Sequence, residues 1–394
     1  MITEECQITL NTGLRGVAIA STRISDVDGD AGRLIYRGYR IEDLAEQTTF
    51  EETIYLLLYE KLPSRSELKQ FKERLSRERE IPAEVIAALR NCPSNSLPMD
   101  ILQAGVALLA NHDPDIQISD PDASERIAIR LIARMATLVA AWDQIRNGRS
   151  PVSPNTELDH AANFLYMLSG KIPDPETARF MDICLVLHAE HSFNASTFAA
   201  REVASTRAHM YASVSAAVGS LSGELHGGAN ARVMQMLLKI GDINRVASYI
   251  QEELDAGRRI MGLGHAVYNV DDPRAKILEP ISRILGDKTG DPLWHTLSIA
   301  VKDQTCAAFK QRKGIDIPVN VDFFSASVYY YMKIPVDLFT PVFAISRIAG
   351  WAAHVIEEQF GGASSKPVLY RPESEYIGDY CGPDVCTLTP IESR

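Results

Sequence analysis

Two histidines, an arginine and an aspartate stand in glycine-rich or apolar surroundings, where their side chains suit chemistry on a carbonyl compound. In MGLGHAVYNVDDPR, residues 261–274, His265 follows a glycine and Arg274 follows an Asp-Pro turn. Arginine presents a planar fork of donors that matches a carboxylate, and a nearby histidine can polarise a carbonyl of the same ligand. The stretch therefore predicts a keto-acid site. The alternative is a surface arginine paired with Asp271 or Asp272.

A second histidine, His226, precedes Gly227 and Gly228 in GELHGGAN, and a helix is predicted to start close to Asn230. Glycine lets the backbone approach a ligand closely. The positive end of a helix disfavours protonation, so we predict a neutral His226 that donates one hydrogen bond. The alternative is a histidine that only caps the helix.

Asp322 lies in the apolar stretch PVNVDFF. Desolvation raises the pKa of a carboxylate, and an efficient general base has a pKa near the working pH. Asp322 is therefore a candidate base, with helix N-capping as the alternative.

His188 and His191 stand three residues apart in LHAEHSFN, which is a helical spacing. The zinc-protease pattern needs His-Glu-x-x-His and a further ligand, so no metal site is predicted. We expect one of the two histidines to face a cleft and the other to pack between helices. Arg347 in AISRIAG and Arg371 in LYRPESEY are candidate anion-binding residues, each with a solvated arginine as the alternative.

The elements that must position these side chains are mostly helices. Residues 15–39 alternate short β-prone runs with Asp-Gly turn signals, which predicts small strands or hairpins. Further along, apolar residues recur at three- and four-residue intervals between polar loops. We predict a mainly α protein with a large domain, 1–220 and 325–394, and a small domain, 221–324. A cleft between them is the expected ligand site.

The bulk composition excludes several classes of protein. The 394-residue chain is 46% hydrophobic and carries a net charge of −11. A negative field repels polyanions, so neither nucleic acid nor an anionic membrane surface is expected as a partner. The six cysteines form no Cys-x-x-Cys pair. With no run of ~18 apolar residues and no secretory leader pattern, this predicts a soluble cytoplasmic protein with reduced thiols.

Six segments, in order along the chain, resemble the citrate synthase family: HAEHSFNASTFAA, SGELHGGAN, GLGHAVYNVDDPRA, PVNVDFFSA, ISRIAGWAAHVIEE and RPESEYIG. Others, such as VDGDAGRLIYRGYRIEDLAE, extend the resemblance over almost the whole chain. The resemblance implies a two-domain helical fold with a few short N-terminal β-strands. It also implies an acyltransferase that condenses acetyl-CoA with oxaloacetate and hydrolyses citryl-CoA to citrate and CoA.

The resemblance further implies roles for individual residues. Asp322 resembles the base that removes a proton from the acetyl methyl group, and His226 the donor to the thioester oxygen. His265 resembles the residue that polarises the oxaloacetate carbonyl and supplies its proton. The positions that match substrate-binding residues are His191, Asn194, Arg274, Arg347 and Arg371. Arg371 is expected to reach the site from the neighbouring subunit of a homo-oligomer that is at least a dimer. No metal and no permanently bound cofactor are expected, since acetyl-CoA is a co-substrate.

Four positions depart from the pattern usual in bacterial members of the family, and each departure removes positive charge or adds negative charge near where CoA phosphates would lie. These positions are Glu224, Ala266, Asn269 and Glu373. We hypothesise that CoA binding is weaker or more salt-sensitive, or that it depends on other residues. The candidates for CoA contact are Lys276, Lys310 and Lys313.

Two alternative functions stay open. A 2-methylcitrate synthase would use propionyl-CoA, and one extra methylene discriminates by only ~1–3 kcal/mol. A non-catalytic assembly or regulatory homologue is the alternative of another class. The presence of Asp322, His226 and His265 argues against the second.

Overall fold

The computed structural model describes residues 10–14, 16–265, 267–361, 368–379, 388 and 390–393. Within these residues the chain forms sixteen α-helices and one small sheet, which confirms the mainly α class. The helices are α1 (Ile41–Gln47), α2 (Phe50–Tyr59), α3 (Arg65–Arg77), α4 (Ala83–Arg90), α5 (Pro98–Leu109), α6 (Pro121–Arg146), α7 (His160–Ser169), α8 (Pro175–His188), α9 (Ala195–Ser205), α10 (Met210–Ser222), α11 (Ala229–Ile240), α12 (Val246–Asp255), α13 (Pro273–Thr289), α14 (Leu293–Lys313), α15 (Val321–Tyr331) and α16 (Phe339–Phe360).

The sheet is formed by residues 25–40, which precede α1 in the chain. Strands β1 (Ser25–Asp28), β2 (Arg33–Tyr36) and β3 (Tyr39–Arg40) pair antiparallel in the order β1-β2-β3. Ser25 is opposite Tyr36 and Asp28 is opposite Arg33. This confirms the hairpins expected from the Asp-Gly turn signals.

Local sequence signals account for several helix starts. Thr49 with Glu52, and Ser64 with Glu67, form capping boxes in front of α2 and α3. Helices α5, α6, α8 and α13 each begin with proline, whose fixed φ suits the first helical position and whose missing N–H is not needed there.

Helix α16 is the central helix of the core. By length and composition alone, Val336–Phe360 would pass for a membrane span, but 94% of its most apolar window is buried inside the fold. It packs against α2, α6, α8, α9 and α10. A helix that is apolar on all sides needs such surroundings.

Helix α8 ends at His188, so the helical spacing of His188 and His191 does not correspond to one helix. The chain leaves the helix through residues 189–194, where Ser192 adopts a positive φ of 52°. His188 packs 4.9 Å from the ring of Phe343, and its Nδ1 is 2.7 Å from the main-chain oxygen of Cys184. The expectation that one of the two histidines packs between helices is thus confirmed for His188.

The division into two domains stays a prediction. Helices α11, α13 and α14 pack on α15, and α14 also contacts α11, α12 and α13. The predicted boundaries after residues 220 and 324 fall inside α10 and α15. Any hinge must therefore lie at the helix ends, near Gly223 and Asn320.

Candidate active site

Arg274 is oriented by the first turn of α13. Its N-cap residue, Asp272, is fully buried, and Arg274 is 2% exposed. The Asp272 carboxylate accepts hydrogen bonds from Arg274 Nε at 3.0 Å and Nη2 at 2.7 Å. Burial opposes the charge of Arg274, but Asp272 holds its pKa above the ordinary value. The pairing with Asp272 that the sequence left as an alternative is present, but it is buried, and it leaves Nη1 without an acceptor among the described residues.

Arg347 is buried in the middle of α16 and is 2% exposed. Its Nε donates to the main-chain oxygen of His188 at 2.6 Å, and its guanidinium lies 4.6 Å from the ring centroid of Phe343. Burial lowers its pKa to about 10, so the group stays charged at neutral pH. In the part of the chain that the structure describes, no carboxylate forms an ion pair with it. A buried cation with unused donors is costly unless an anion binds it, so the solvated-arginine alternative does not hold here.

Three rings cluster beside the two arginines. The centroids of His191 and His265 are 5.7 Å apart, and the Tyr268 ring lies 5.6 Å from His191 and 4.7 Å from His265. His191 Nε2 and the Tyr268 hydroxyl are buried and have no hydrogen-bond partner within the described chain. Burial, with the charges of Arg274 and Arg347, lowers the pKa of His191 well below its ordinary value. The cluster thus holds neutral polar groups whose partners must come from a ligand or from water.

The loop that carries His265 holds the ring in one tautomer. The main-chain N–H groups of Val267 and Tyr268 donate to His265 Nδ1 at 2.9 and 3.0 Å. Because Nδ1 accepts, we assign the ring proton to Nε2. Burial and Arg274 lower the pKa of His265 to about 4. His265 is therefore a neutral donor through Nε2, which suits polarisation of a carbonyl.

His226 is also neutral and held in one tautomer, but its proton is on the other ring nitrogen than in His265. The main-chain N–H of Ser196 donates to His226 Nε2 at 3.2 Å, and the Ser196 hydroxyl is 2.8 Å away. We therefore assign the proton to Nδ1. Burial and Arg347 lower the pKa of His226 to about 4. His226 does not cap α11, whose N-cap is Gly228, so the capping alternative is wrong.

Asn194 contacts His226 through Ser196, whose hydroxyl lies next to both side chains. It is the N-cap of α9, and its Oδ1 accepts from the Thr197 N–H at 3.1 Å and from the Ser196 hydroxyl at 2.8 Å. The indole N–H of Trp351 donates to the same hydroxyl at 3.1 Å. The side chain of Asn194 is thus used for capping and for holding Ser196, and its predicted contact with substrate stays a prediction.

Asp322 stands in the first turn of α15, where Asn320 is the N-cap, so the capping alternative for Asp322 is wrong. Burial raises the pKa of its carboxylate to about 6, although the charges of Arg274 and Arg347 oppose the shift. Part of its surface is open to a cavity. These are the properties expected of a general base near neutral pH.

His226, His265 and Asp322 line one cavity of about 780 Å³. Four basic residues also line it, and these are Arg232, Lys239, Arg258 and Arg259. Three of the four have an acidic partner. Arg258 Nε lies 2.7 Å and Lys239 3.7 Å from Glu253, and Arg232 lies 3.4 Å from Glu224. Arg259 has no acidic partner within the described residues.

The lysines expected to contact CoA do not line this cavity. Lys276, Lys310 and Lys313 are exposed on α13 and α14. Lys310 pairs with Asp316 at 2.8 Å, and Lys313 lies over the ring of Phe309 at 5.0 Å. The spacing along the chain did not reveal which helix faces are turned away from the cavity.

The positions that depart from the family pattern lie in different places. Asn269 donates to Asp30 at 2.6 Å and does not line the cavity, whereas Glu224 does line it. Arg371 and Glu373 are exposed in the segment 368–379, so a contact of Arg371 with a neighbouring subunit stays a prediction. The position of Ala266, like most of the C-terminal tail, lies outside the described residues.

The structure therefore brings most of the predicted residues together in two adjoining groups. One group has unused donors around a buried positive charge and suits a small dianion. The other has a carboxylate base beside a neutral donor and suits proton removal next to a carbonyl. Tyr268, Ser196 and Arg259 belong to these groups but carried no separate signal in the sequence.

Comparison with known proteins agrees with this arrangement. Residues 13–373 match the family model described as "Citrate synthase, C-terminal domain". A citrate synthase of Synechocystis sp. is 44% identical over 368 residues, which cover 93% of this chain and 91% of the relative. A 2-methylcitrate synthase of Shewanella oneidensis is 37% identical and covers 93% of this chain and 94% of its own length.

Solved structures show the same similarity. Citrate synthase from Pyrobaculum aerophilum superposes with a TM-score of 0.88 at 41% identity, over 97% of this chain and 95% of that one. Citrate synthase from Thermoplasma acidophilum, in a ternary complex with carboxymethyl coenzyme A and oxaloacetate, gives 0.89 at 32% identity, over 98% and 100%. Family model, relatives and structures agree over nearly the full length, and the chain therefore belongs to the citrate synthase family, a family of acyltransferases.

Proposed function

We propose that this protein condenses acetyl-CoA with oxaloacetate and hydrolyses the resulting citryl-CoA to citrate and CoA. The observation that carries the proposal is a single cavity in which Asp322, with a pKa of about 6, adjoins two neutral histidines. The complex of the Thermoplasma acidophilum relative with oxaloacetate and carboxymethyl coenzyme A supports the choice of substrates.

Oxaloacetate would bind in the group of unused donors. Arg274 and Arg347 would meet its carboxylates, and His191 would donate a further hydrogen bond. His265 would donate through Nε2 to the keto oxygen and later supply the proton that the new alkoxide takes up. The positive charge of the arginines offsets the cost of removing a dianion from water.

Acetyl-CoA would then meet the second group. Asp322 removes a proton from the acetyl methyl group, and His226 donates through Nδ1 to the thioester oxygen as the enol forms. The enol carbon attacks the polarised keto carbon, and water cleaves the thioester. A carboxylate can remove so weakly acidic a proton only if the enolate oxygen is stabilised at the same time, which explains why these two residues share one cavity.

Closure of the small domain over bound oxaloacetate is part of the proposal, since it would exclude water and limit thioester hydrolysis before condensation. We further propose a homo-oligomer, at least a dimer, in which Arg371 reaches the neighbouring site. The exposed segment 368–379, with Ile377 90% exposed, supports a role for this segment between subunits. We place the protein in the cytoplasm.

The direct test follows release of the CoA thiol with oxaloacetate and either acetyl-CoA or propionyl-CoA. We expect oxaloacetate-dependent release, faster with acetyl-CoA. Preference for propionyl-CoA would instead favour 2-methylcitrate synthase, the activity named for the Shewanella oneidensis relative. No release with either thioester would contradict the proposal and favour a non-catalytic homologue.

The pH dependence should follow Asp322. Its pKa is raised to about 6, so the carboxylate is protonated and inactive as a base below that pH. The pKa values of His226 and His265 are near 4, so neither ring changes charge in the neutral range. We expect kcat at saturating substrates to rise with pH through about 6 and then to level off. A kcat that falls as the pH rises through this range would contradict the assignment.

Arg259 should contribute to CoA affinity, because it is the cation lining the cavity without an acidic partner in the described chain. We expect Arg259→Ala to raise the Michaelis constant for acetyl-CoA about three- to tenfold, and less at high salt. The matched control is Arg77→Ala, which removes an exposed arginine on α3 outside the cavity lining. Equal Michaelis constants in the two variants would mean that the cavity cations do not hold the cofactor phosphates.

A further inference from the structure

The β1–β2 hairpin touches two separate parts of the candidate site. At its open end, the Tyr36 hydroxyl donates to the main-chain oxygen of Glu190 at 2.9 Å, and the Glu190 N–H lies 3.2 Å from the same hydroxyl. Ser25 Oγ donates to Glu190 Oε1 at 2.9 Å and accepts from the Ser192 N–H at 3.0 Å. The residues on both sides of His191 are thus hydrogen-bonded to the hairpin.

At its other end, the hairpin contacts the loop that carries His265. The hairpin turn, residues 28–32, is shaped by Asp28, whose Oδ1 accepts from the Ala31 N–H at 2.9 Å. The Asn269 N–H donates to the main-chain oxygen of Gly29 at 3.0 Å, and its side-chain amide donates to Asp30 at 2.6 Å. The turn therefore binds the middle of the loop between His265 and Arg274.

The fit between the hairpin turn and this loop leaves no room for a side chain. A Cβ at Gly29 would lie 2.1 Å from the main-chain oxygen of Val267, and a Cβ at Gly32 would lie 2.8 Å from Val270 Cγ2. Val267 is also the residue whose N–H holds His265 Nδ1 at 2.9 Å. A displacement of Val267 would therefore move the group that orients His265.

We propose that the hairpin turn is a positioning element for oxaloacetate, with Gly29, Asp30 and Asn269 as positioning residues. It sets the distance between His191 on one side and His265 on the other, because one rigid hairpin is bonded to both segments. Under the predicted division of the chain, the hairpin belongs to the large domain and the loop to the small one, so these contacts form when the domains close. The inference rests on the proposed function, since it names oxaloacetate as the ligand.

This role differs from the one expected for Asn269 from the sequence alone. The sequence alone favours weaker CoA binding, because a basic residue is missing at this position. In the structure the side chain points to Asp30, which is a hydrogen-bond acceptor for a lysine as well as for an asparagine. The contact predicts an effect on oxaloacetate rather than on CoA.

The main test compares Gly29→Ala with Gly38→Ala. Gly29 does not have a positive φ, so alanine there adds no backbone strain and acts only through its contact with Val267. Gly38, in the next turn of the same sheet, has a φ of 90° and nothing within 4 Å of an added Cβ. Alanine at Gly38 therefore strains the sheet without moving the loop.

Oxaloacetate binding is measured by isothermal titration calorimetry, beside kcat and the Michaelis constant for acetyl-CoA. We expect Gly29→Ala to weaken oxaloacetate binding about tenfold, from the lost donor at the keto oxygen, while the acetyl-CoA constant changes little. Gly38→Ala should lower the melting temperature at unchanged oxaloacetate affinity. Equal loss of affinity in both variants, or none in Gly29→Ala, would overturn the proposal.

A second test uses the Asn269–Asp30 hydrogen bond. Because the bond is exposed, we expect Asp30→Ala and Asn269→Leu each to weaken oxaloacetate binding by only about threefold, with no further loss in the double variant. Asn269→Lys, which keeps a donor for Asp30, should bind like the wild type. Additive losses, or a loss in Asn269→Lys equal to that in Asn269→Leu, would contradict the role. Failure of the wild type itself to bind oxaloacetate would instead refute the proposed function.

Discussion

Replacing Asp322 with asparagine should lower kcat by about 10²- to 10⁴-fold while oxaloacetate still binds. Asparagine has nearly the same shape and can occupy the same place in the first turn of α15, but it cannot accept a proton at neutral pH. The carboxylate is near the charges of Arg274 and Arg347, which oppose the rise of its pKa to about 6. Because oxaloacetate is itself negatively charged, loss of this negative charge should leave the affinity for oxaloacetate unchanged or slightly higher.

The measurement is single-turnover CoA release at saturating acetyl-CoA, with oxaloacetate affinity determined separately by calorimetry. Asp316→Asn is the matched control, because Asp316 is an exposed acid that pairs with Lys310 and does not line the cavity. It should retain the wild-type rate. A rate for Asp322→Asn within tenfold of the wild type would remove Asp322 as the base, since general-base catalysis contributes more than that.

The helical class and the N-terminal hairpin were predictable because both depend on local patterns. Apolar residues at three- and four-residue intervals bury one face of a helix, and the Asp-Gly turn between β1 and β2 closes a hairpin. The break between α8 and α9 was less predictable. Apolar spacing continues through residues 189–194, whereas the positive φ of Ser192 and the hydrogen bonds to Ser25 and Tyr36 depend on the sheet.

In the candidate site, too, the residue types could be predicted from the sequence but the contacts between distant segments could not. Residue types that suit a keto acid were visible, and the structure brings His226, His265 and Asp322 to one cavity. The tautomers of the two histidines could not be predicted from the sequence. The N–H group that donates to His226 Nε2, for example, belongs to Ser196, thirty residues earlier in the chain. The lysines proposed for CoA contact do not line this cavity, and their role stays a prediction. A count of basic residues does not tell which of them face the cavity, and that depends on how α13 and α14 pack.

The assigned tautomer of His226 leads to a second prediction with a large effect. Ser196 donates to Nε2, so the donor left for the thioester oxygen is Nδ1–H. A glutamine amide reaches about as far as Nε2, whereas an asparagine amide ends near the position of Nδ1. We expect His226→Gln to lower kcat by about 10²- to 10³-fold, the usual effect of removing one donor to a developing oxyanion. His226→Asn should retain clearly more activity, because it can place an N–H near the lost donor.

The comparison needs both variants, because loss of activity in either one alone would also follow from disturbed packing around Ser196. His209→Asn is the control. His209 is an N-cap whose Nδ1 accepts from the Ala212 N–H at 3.2 Å, a role that asparagine performs well, so its rate should not change. If His226→Gln proved more active than His226→Asn, the donor would have to be Nε2. The hydrogen bond from Ser196 would then have to break on binding of the thioester, and the neutral ring would have to move its proton from Nδ1 before the enol could form.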